Sequence, residues 1–176
     1  MTNAPAGGQR GRIVRGLRPR PEAVKPPPLF VMVGLPGAGK TTLARQLEAE
    51  HGALRLTPDE WMMPLFGAGE SGDKREQVEA LLWSVAARTL SLGVSVVLDY
   101  GLWGRSERDD YRARAEALGA HVRLHFLDAP YEELWRRVQE RNQRLTPADA
   151  PISRAELDGF RRVFQTPTAE ELASYS

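Results

Sequence analysis

Cysteine is absent from the 176 residues, which excludes disulfides and thiolate metal sites. No apolar run approaches the ~20 residues that a membrane-spanning helix requires. The N-terminus lacks the apolar core of a signal peptide. A strong overall charge is missing too: the formal net charge is +1. These absences lead us to expect a cytoplasmic protein with no membrane partner; a monomer or homodimer is expected. The charge is unevenly placed. Residues 1–28 carry Arg10, Arg12, Arg15, Arg18, Arg20 and Lys25 against Glu22, which leaves residues 29–176 net negative. A body of that sign does not suit general nucleic-acid binding; the basic arm is the one segment that suits RNA or an acidic partner. Residues 1–28 are also rich in Gly and Pro and end in Pro26-Pro27-Pro28. They hold too little apolar area to offset their ordering entropy, so a tail over 1–28 and one folded domain over 29–176 are expected.

Within that domain the hydrophobic pattern alternates. Leu29–Val33 is a continuous apolar run, the pattern of a central strand covered on both faces. A Gly-rich turn and a helix over about Lys40–Glu50 follow, with Leu43 and Leu47 on one face. Further strands are expected at Ala53–Leu56, Val94–Leu98 and Val122–Leu127. Further helices are expected at Lys74–Leu92, with Val78, Leu81, Leu82 and Val85 facing the core, at Ser106–Leu118 and at Tyr131 to about Arg144. A break at Pro147–Pro151 precedes a helix opened by the capping box Ser153-x-x-Glu156, and Thr168-x-x-Glu171 starts a last turn. Strands alternating with helices imply an α/β three-layer sandwich around a parallel sheet of four or five strands.

Gly34-Leu35-Pro36-Gly37-Ala38-Gly39-Lys40-Thr41 matches G-x-x-x-x-G-K-[ST] at every fixed position. The pattern follows an apolar strand and opens a helix, the context that a phosphate-binding P-loop needs. Its backbone N–H groups and helix N-terminus are suited to phosphate oxygens. Lys40 would reach the β- and γ-phosphates and the Thr41 hydroxyl would ligate Mg²⁺. With Thr42 next in line, this segment is the candidate site for ATP, with GTP possible.

Asp59 follows the second strand and Asp99 the third, so in a parallel sheet both belong at the ligand edge. Asp59 is suited to accept a proton from an acceptor hydroxyl. It also reads as part of a helix start, with Thr57 as cap, Pro58 at the first position and Glu60 closing a capping box. Asp99 is suited to hold Mg²⁺ through water, or is an ordinary strand-terminal acid. Arg137, Arg141 and Arg144 form a stripe beside the buried face of their helix. That stripe suits contacts to transferring phosphate; the alternative is a solvated basic face. Trp61-Met62-Met63 after Asp59, and Tyr100–Arg105 after Asp99, are either core or an apolar acceptor pocket. In the second case Trp61, Trp103 and Asp99 would face the acceptor, with Arg105 or Arg108 as a charged contact.

Together the P-loop, Thr57-Pro58-Asp59, the strand ending at Asp99 and the helix bearing Arg137 and Arg141-Asn142 resemble the small P-loop kinases. These are the zeta-toxin, chloramphenicol phosphotransferase and polynucleotide 5′-kinase group, often described only as AAA-family ATPases. The resemblance covers residues 29 to about 145. It implies a catalytic Asp at position 59 and lid arginines at 137 and 141, with Arg144 as a third. The implied activity is transfer of the ATP γ-phosphate to a hydroxyl of an antibiotic, nucleoside or sugar nucleotide. The other readings are an NTPase switch with no acceptor and a polynucleotide 5′-hydroxyl kinase. The group's usual fifth strand has no counterpart in the pattern, and Phe164–Pro167 is the segment expected to close over the adenine instead.

Overall fold

The computed structural model describes residues 26–67, 73–145 and 151–175. Nearly all of the expected tail and of the break at 147–151 lies outside these residues. The strands are β1 (Pro28–Val33), β2 (Leu54–Leu56), β3 (Val96–Gly101) and β4 (His121–Phe126). The helices are α1 (Lys40–His51), α2 (Pro58–Phe66), α3 (Asp73–Ser91), α4 (Arg105–Ala117), α5 (Tyr131–Asn142), α6 (Arg154–Val163) and α7 (Ala169–Ala173). Most elements fall within two residues of the expectation. The strands form one parallel sheet in the order β2-β3-β1-β4. No fifth strand joins it among the described residues.

Strand alternation sorts the core. Phe30, Met32 and Val97 pack against Ala44 and Leu47 of α1. Leu29, Val31, Val33, Val96 and Leu98 face the opposite layer, built from α3 and α4. In α3 the buried residues are Val78, Leu82, Ala86 and Leu90. Leu81 and Val85, expected on that face, are exposed, at 65% for Leu81. The pattern at 78, 81, 82 and 85 is compatible with two helix faces, and the buried one continues through Ala86 and Leu90. Helix α4 begins one residue early. Gly104 is its cap and donates its N–H to the Glu107 carboxylate (3.4 Å). The capping box at Ser153 and Glu156 forms as expected. Thr168 caps α7 by accepting the Glu171 N–H.

The C-terminal segment braces the ligand edge. Arg108 is 1% exposed and Glu171 3%, and the two form a bidentate pair with N–O distances of 2.6 and 3.0 Å. The same guanidinium donates to the carbonyls of Leu102 (3.2 Å) and Trp103 (3.1 Å). Leu102 holds a left-handed backbone, φ +30°, the only positive φ outside glycine among the described residues. Such a conformation costs energy unless its surroundings enforce it. The segment expected to close over the adenine is tied here: the Gln165 N–H donates to Trp103 O (3.0 Å), and its side-chain oxygen accepts from the Arg105 N–H (2.8 Å).

Breaking a buried pair strands a charge, whereas replacing both partners by apolar residues is tolerated. Glu171→Ala is therefore expected to lower unfolding free energy by about 3–5 kcal/mol, with Arg108→Met/Glu171→Leu recovering much of it. Denaturant melts check this; a loss below about 1 kcal/mol in the single variant would show the pair to be dispensable.

Candidate active site

The P-loop occupies the turn between β1 and α1, where the sheet order reverses from β3 to β4 around β1. That is the crevice in which parallel sheets bind ligands. Gly37 has φ +83°, and a Cβ there would lie 2.6 Å from the Leu134 carbonyl of α5. Only glycine lets α5 pack so closely on the loop. The Lys40 ammonium donates to the Leu35 carbonyl at 3.0 Å. Burial pushes its pKa down to about 8; Asp99 and Asp59 oppose the shift, and Arg141 adds to it.

Asp99 sits where β3 bulges. Val31 pairs with Leu98 but Val33 pairs with Gly101, so β3 carries an extra residue opposite Met32. The strand thus runs on to Gly101, and Asp99 lies within it rather than ending it. Bulges re-aim side chains at ligand edges. The Asp99 carboxylate is buried, lies close enough to the Thr41 hydroxyl to feel it, and pairs with Arg55 (3.3 Å). Burial raises its pKa, while Thr41, Lys40 and Arg55 hold it down. A hydroxyl beside a carboxylate is a hard oxygen donor pair that suits Mg²⁺. No group of three or more acidic or His residues could hold a metal among the described residues.

Asp59 lies in the first turn of α2 and is exposed, and Arg75 of α3 donates to its Oδ1 at 2.9 Å. Its charge acts on both Lys40 and Asp99, so the structure brings all three into one neighbourhood. Pro58 opens α2 as expected, but the Glu60 carboxylate turns to Arg55 rather than back to a capping box. Gly101 stands between the Trp103 indole and Lys40: a Cβ there would meet Trp103 Nε1 at 3.2 Å and Lys40 Cε at 3.6 Å. Trp103 also packs on Phe160 of α6 (4.8 Å). Trp61 is exposed and Met62 packs on the core. Arg105 pairs with Asp109 of its own helix at 3.7 Å. Arg108, expected as an alternative contact at the acceptor pocket, is instead in the buried pair described above.

On α5, Arg137 donates to the Gly37 carbonyl (3.3 Å) and pairs with Glu133 (2.7 Å). Arg141 is exposed, and its field reaches Lys40. Arg55, Arg75 and the Arg108–Glu171 pair were missed in the sequence. The one visible signal was Arg55 itself, a charge between Leu54 and Leu56 in a short strand, where alternation aims it at the P-loop helix.

A P-loop opening a helix at the reversal point of a parallel sheet defines a nucleotide-binding P-loop protein of the α/β class. A family model described as an AAA domain matches residues 29–167. The chain belongs to this AAA domain family. Among solved structures it resembles Chaetomium thermophilum Kti12 in complex with ADP-AlF3, with a TM-score of 0.64, 22% identity, and 81% of this chain and 83% of that one covered. It also resembles a chain of the Pnkp1/Rnl/Hen1 RNA repair complex (TM-score 0.68, 19% identity), covering 88% of this chain but 46% of that one. A third likeness is to a gluconokinase from Sinorhizobium meliloti 1021, with a TM-score of 0.56, 20% identity, and 83% and 79% covered. No curated protein matches in sequence. Among the described residues, no helix is long and apolar enough to cross a membrane.

Lys40→Ala is expected to abolish Mg·ATP binding without lowering the melting temperature, since the side chain serves ligand rather than core. The depressed pKa adds a sign. Free Lys40 is partly neutral above pH 8, and bound phosphate favours its charged form. ATP binding at about pH 8.5 should therefore take up protons, read as a buffer-dependent calorimetric enthalpy; proton release there would contradict it.

Proposed function

We propose that the protein is an ATP-dependent kinase that transfers the γ-phosphate to a hydroxyl of a small molecule. The observation that carries this reading is a P-loop at the reversal point of the parallel sheet, with Asp99 in the adjoining strand and Asp59 in the first turn of the helix that follows β2. A carboxylate suited to proton transfer thus accompanies the phosphate-binding lysine and the carboxylate suited to the metal. Residues 34–42 would hold the phosphates, with Lys40 leaving the Leu35 carbonyl for β- and γ-oxygens. Thr41 and Asp99 would hold Mg²⁺, which neutralises phosphate charge when bound. Arg75 holds one oxygen of Asp59, and the other would take the acceptor. The acceptor O–H would lose its proton to Asp59 as its oxygen bonds to the γ-phosphorus, and the bond from that phosphorus to the β,γ-bridging oxygen breaks to release ADP. Arg137, already on the P-loop, and Arg141 would meet charge on the transferring group. Trp61, Trp103 and Arg105 remain the acceptor-side candidates.

The acceptor is found by mass spectrometry of an antibiotic, nucleoside and sugar panel incubated with protein, ATP and Mg²⁺. Asp59→Asn should then slow transfer by about 10²–10⁴-fold while ATP binding persists. A variant within about threefold of wild type would end the assignment of Asp59 as base. Arg141→Ala should lower turnover more than ATP affinity, because a contact to developing charge matters most in the transition state. Unchanged turnover would return the arginine stripe to a solvated surface. ATP hydrolysis with no phosphorylated product would favour the switch reading.

A further inference from the structure

Arg55 is a cation for which the reading above has no use, and it is nearly buried, with its side chain 9% exposed. It projects from β2, paired in register with Val97, on the face that packs against α1. Its three nitrogens go to three carboxylates on three elements. Nη1 meets Asp99 Oδ2 of β3 at 3.3 Å, Nη2 meets Glu60 of α2, and Nε lies 3.4 Å from Glu48 of α1. Asp99 is 3% exposed. The other groups acting on it are Thr41, Lys40 and Asp59.

We propose that Arg55 is a positioning residue for the magnesium site, holding the Asp99 carboxylate against Thr41 and tying it to helix α2, which carries Asp59. The inference rests on the reading of Asp99 as the carboxylate that serves the metal. A buried carboxylate without the Arg55 contact would be free to turn about its side chain. With Oδ2 held by a guanidinium, its orientation is set before the ion arrives. Partners behind a metal-serving group commonly act this way, and their loss lowers metal affinity by about 10–100-fold. The planar guanidinium matters as well as the charge, because Arg55 must reach Asp99 and Glu60 at once. A lysine ammonium presents a single point charge and has no such fork. Because Glu60 is next to Asp59, the same contact fixes the first turn of α2 relative to Asp99. Metal positioning and base positioning are thereby coupled through one side chain.

The test is calorimetric titration with the non-hydrolysable analogue AMPPNP, with and without Mg²⁺, which needs no acceptor and no turnover. The readout is the factor by which Mg²⁺ tightens binding. Asp99→Asn should remove most of that factor. Arg55→Gln should reduce it by about 10-fold or more while metal-free AMPPNP binding stays within about twofold of wild type. Adding Arg55→Gln to Asp99→Asn should cost nothing further, because Arg55 acts through Asp99. Glu48→Gln removes a different Arg55 partner and should leave the Mg²⁺ effect intact. If Asp99→Asn keeps the full Mg²⁺ effect, the metal reading of Asp99 fails, and this inference with it. If Asp99→Asn loses the effect and Arg55→Gln keeps it, the metal reading stands and Arg55 is not its positioning residue. Equal losses in Glu48→Gln and Arg55→Gln would show a merely structural role and overturn the proposal. Should Arg55→Gln fail to fold, Arg55→Lys carries the same test. A partial loss of the Mg²⁺ effect is expected there, and a wild-type effect overturns the proposal.

Discussion

A half-buried ammonium at the start of α1 and a buried carboxylate in the neighbouring strand β3 are the constraint around which this molecule is arranged. Burial of Lys40 favours its neutral form and burial of Asp99 its protonated form, so each needs the other. Much of the surrounding structure supplies what water no longer does. Thr41 and Arg55 serve Asp99, and the P-loop carbonyl of Leu35 serves Lys40. Such a site is preorganised for a charged ligand, because its dipoles and charges are already aimed inward.

Two braces keep the edge in place, and both depend on arginines that reach across the chain. Arg108 takes the carbonyls of Leu102 and Trp103 and is itself neutralised by Glu171, 63 residues later. This holds Leu102 in its left-handed conformation and keeps Trp103 beside Gly101 and Lys40. Arg55 does the corresponding work on the other side, where β2, α1 and α2 meet. The C-terminal segment, which makes no strand, is therefore part of the ligand edge.

Much of this fold was legible from pattern alone. The run Leu29–Val33, the P-loop that follows it and the alternation of strands with helices are local statements about sequence, and the sheet obeys them. The capping box at Ser153 and Glu156 is equally local and equally correct. What went wrong in the sequence reading depended on choices among near-equal local options. In α3 two faces were available, and packing selected Val78, Leu82, Ala86 and Leu90. At α4 the cap shifted to Gly104 because Glu107 reaches its N–H. Glu60 had a satisfactory local partner in a capping box, but a nearly buried guanidinium was the stronger one.

The sequence by itself determined that a phosphate-binding loop joins a buried strand to a helix, since that requires only glycines, a lysine and a threonine at fixed spacing. It also determined that Asp59 and Asp99 belong at the ligand edge, because strand polarity in a parallel sheet puts them there. Only the tertiary structure decided which side chains meet at that edge. Arg55 with Asp99, Arg75 with Asp59 and Arg108 with Glu171 are 44, 16 and 63 residues apart, and no periodicity encodes such separations. The sequence contains many arginines and carboxylates of similar chemistry, so local pattern cannot choose among their pairings. Burial chooses, because a charge removed from water is tolerated only where the fold brings an opposite charge to it.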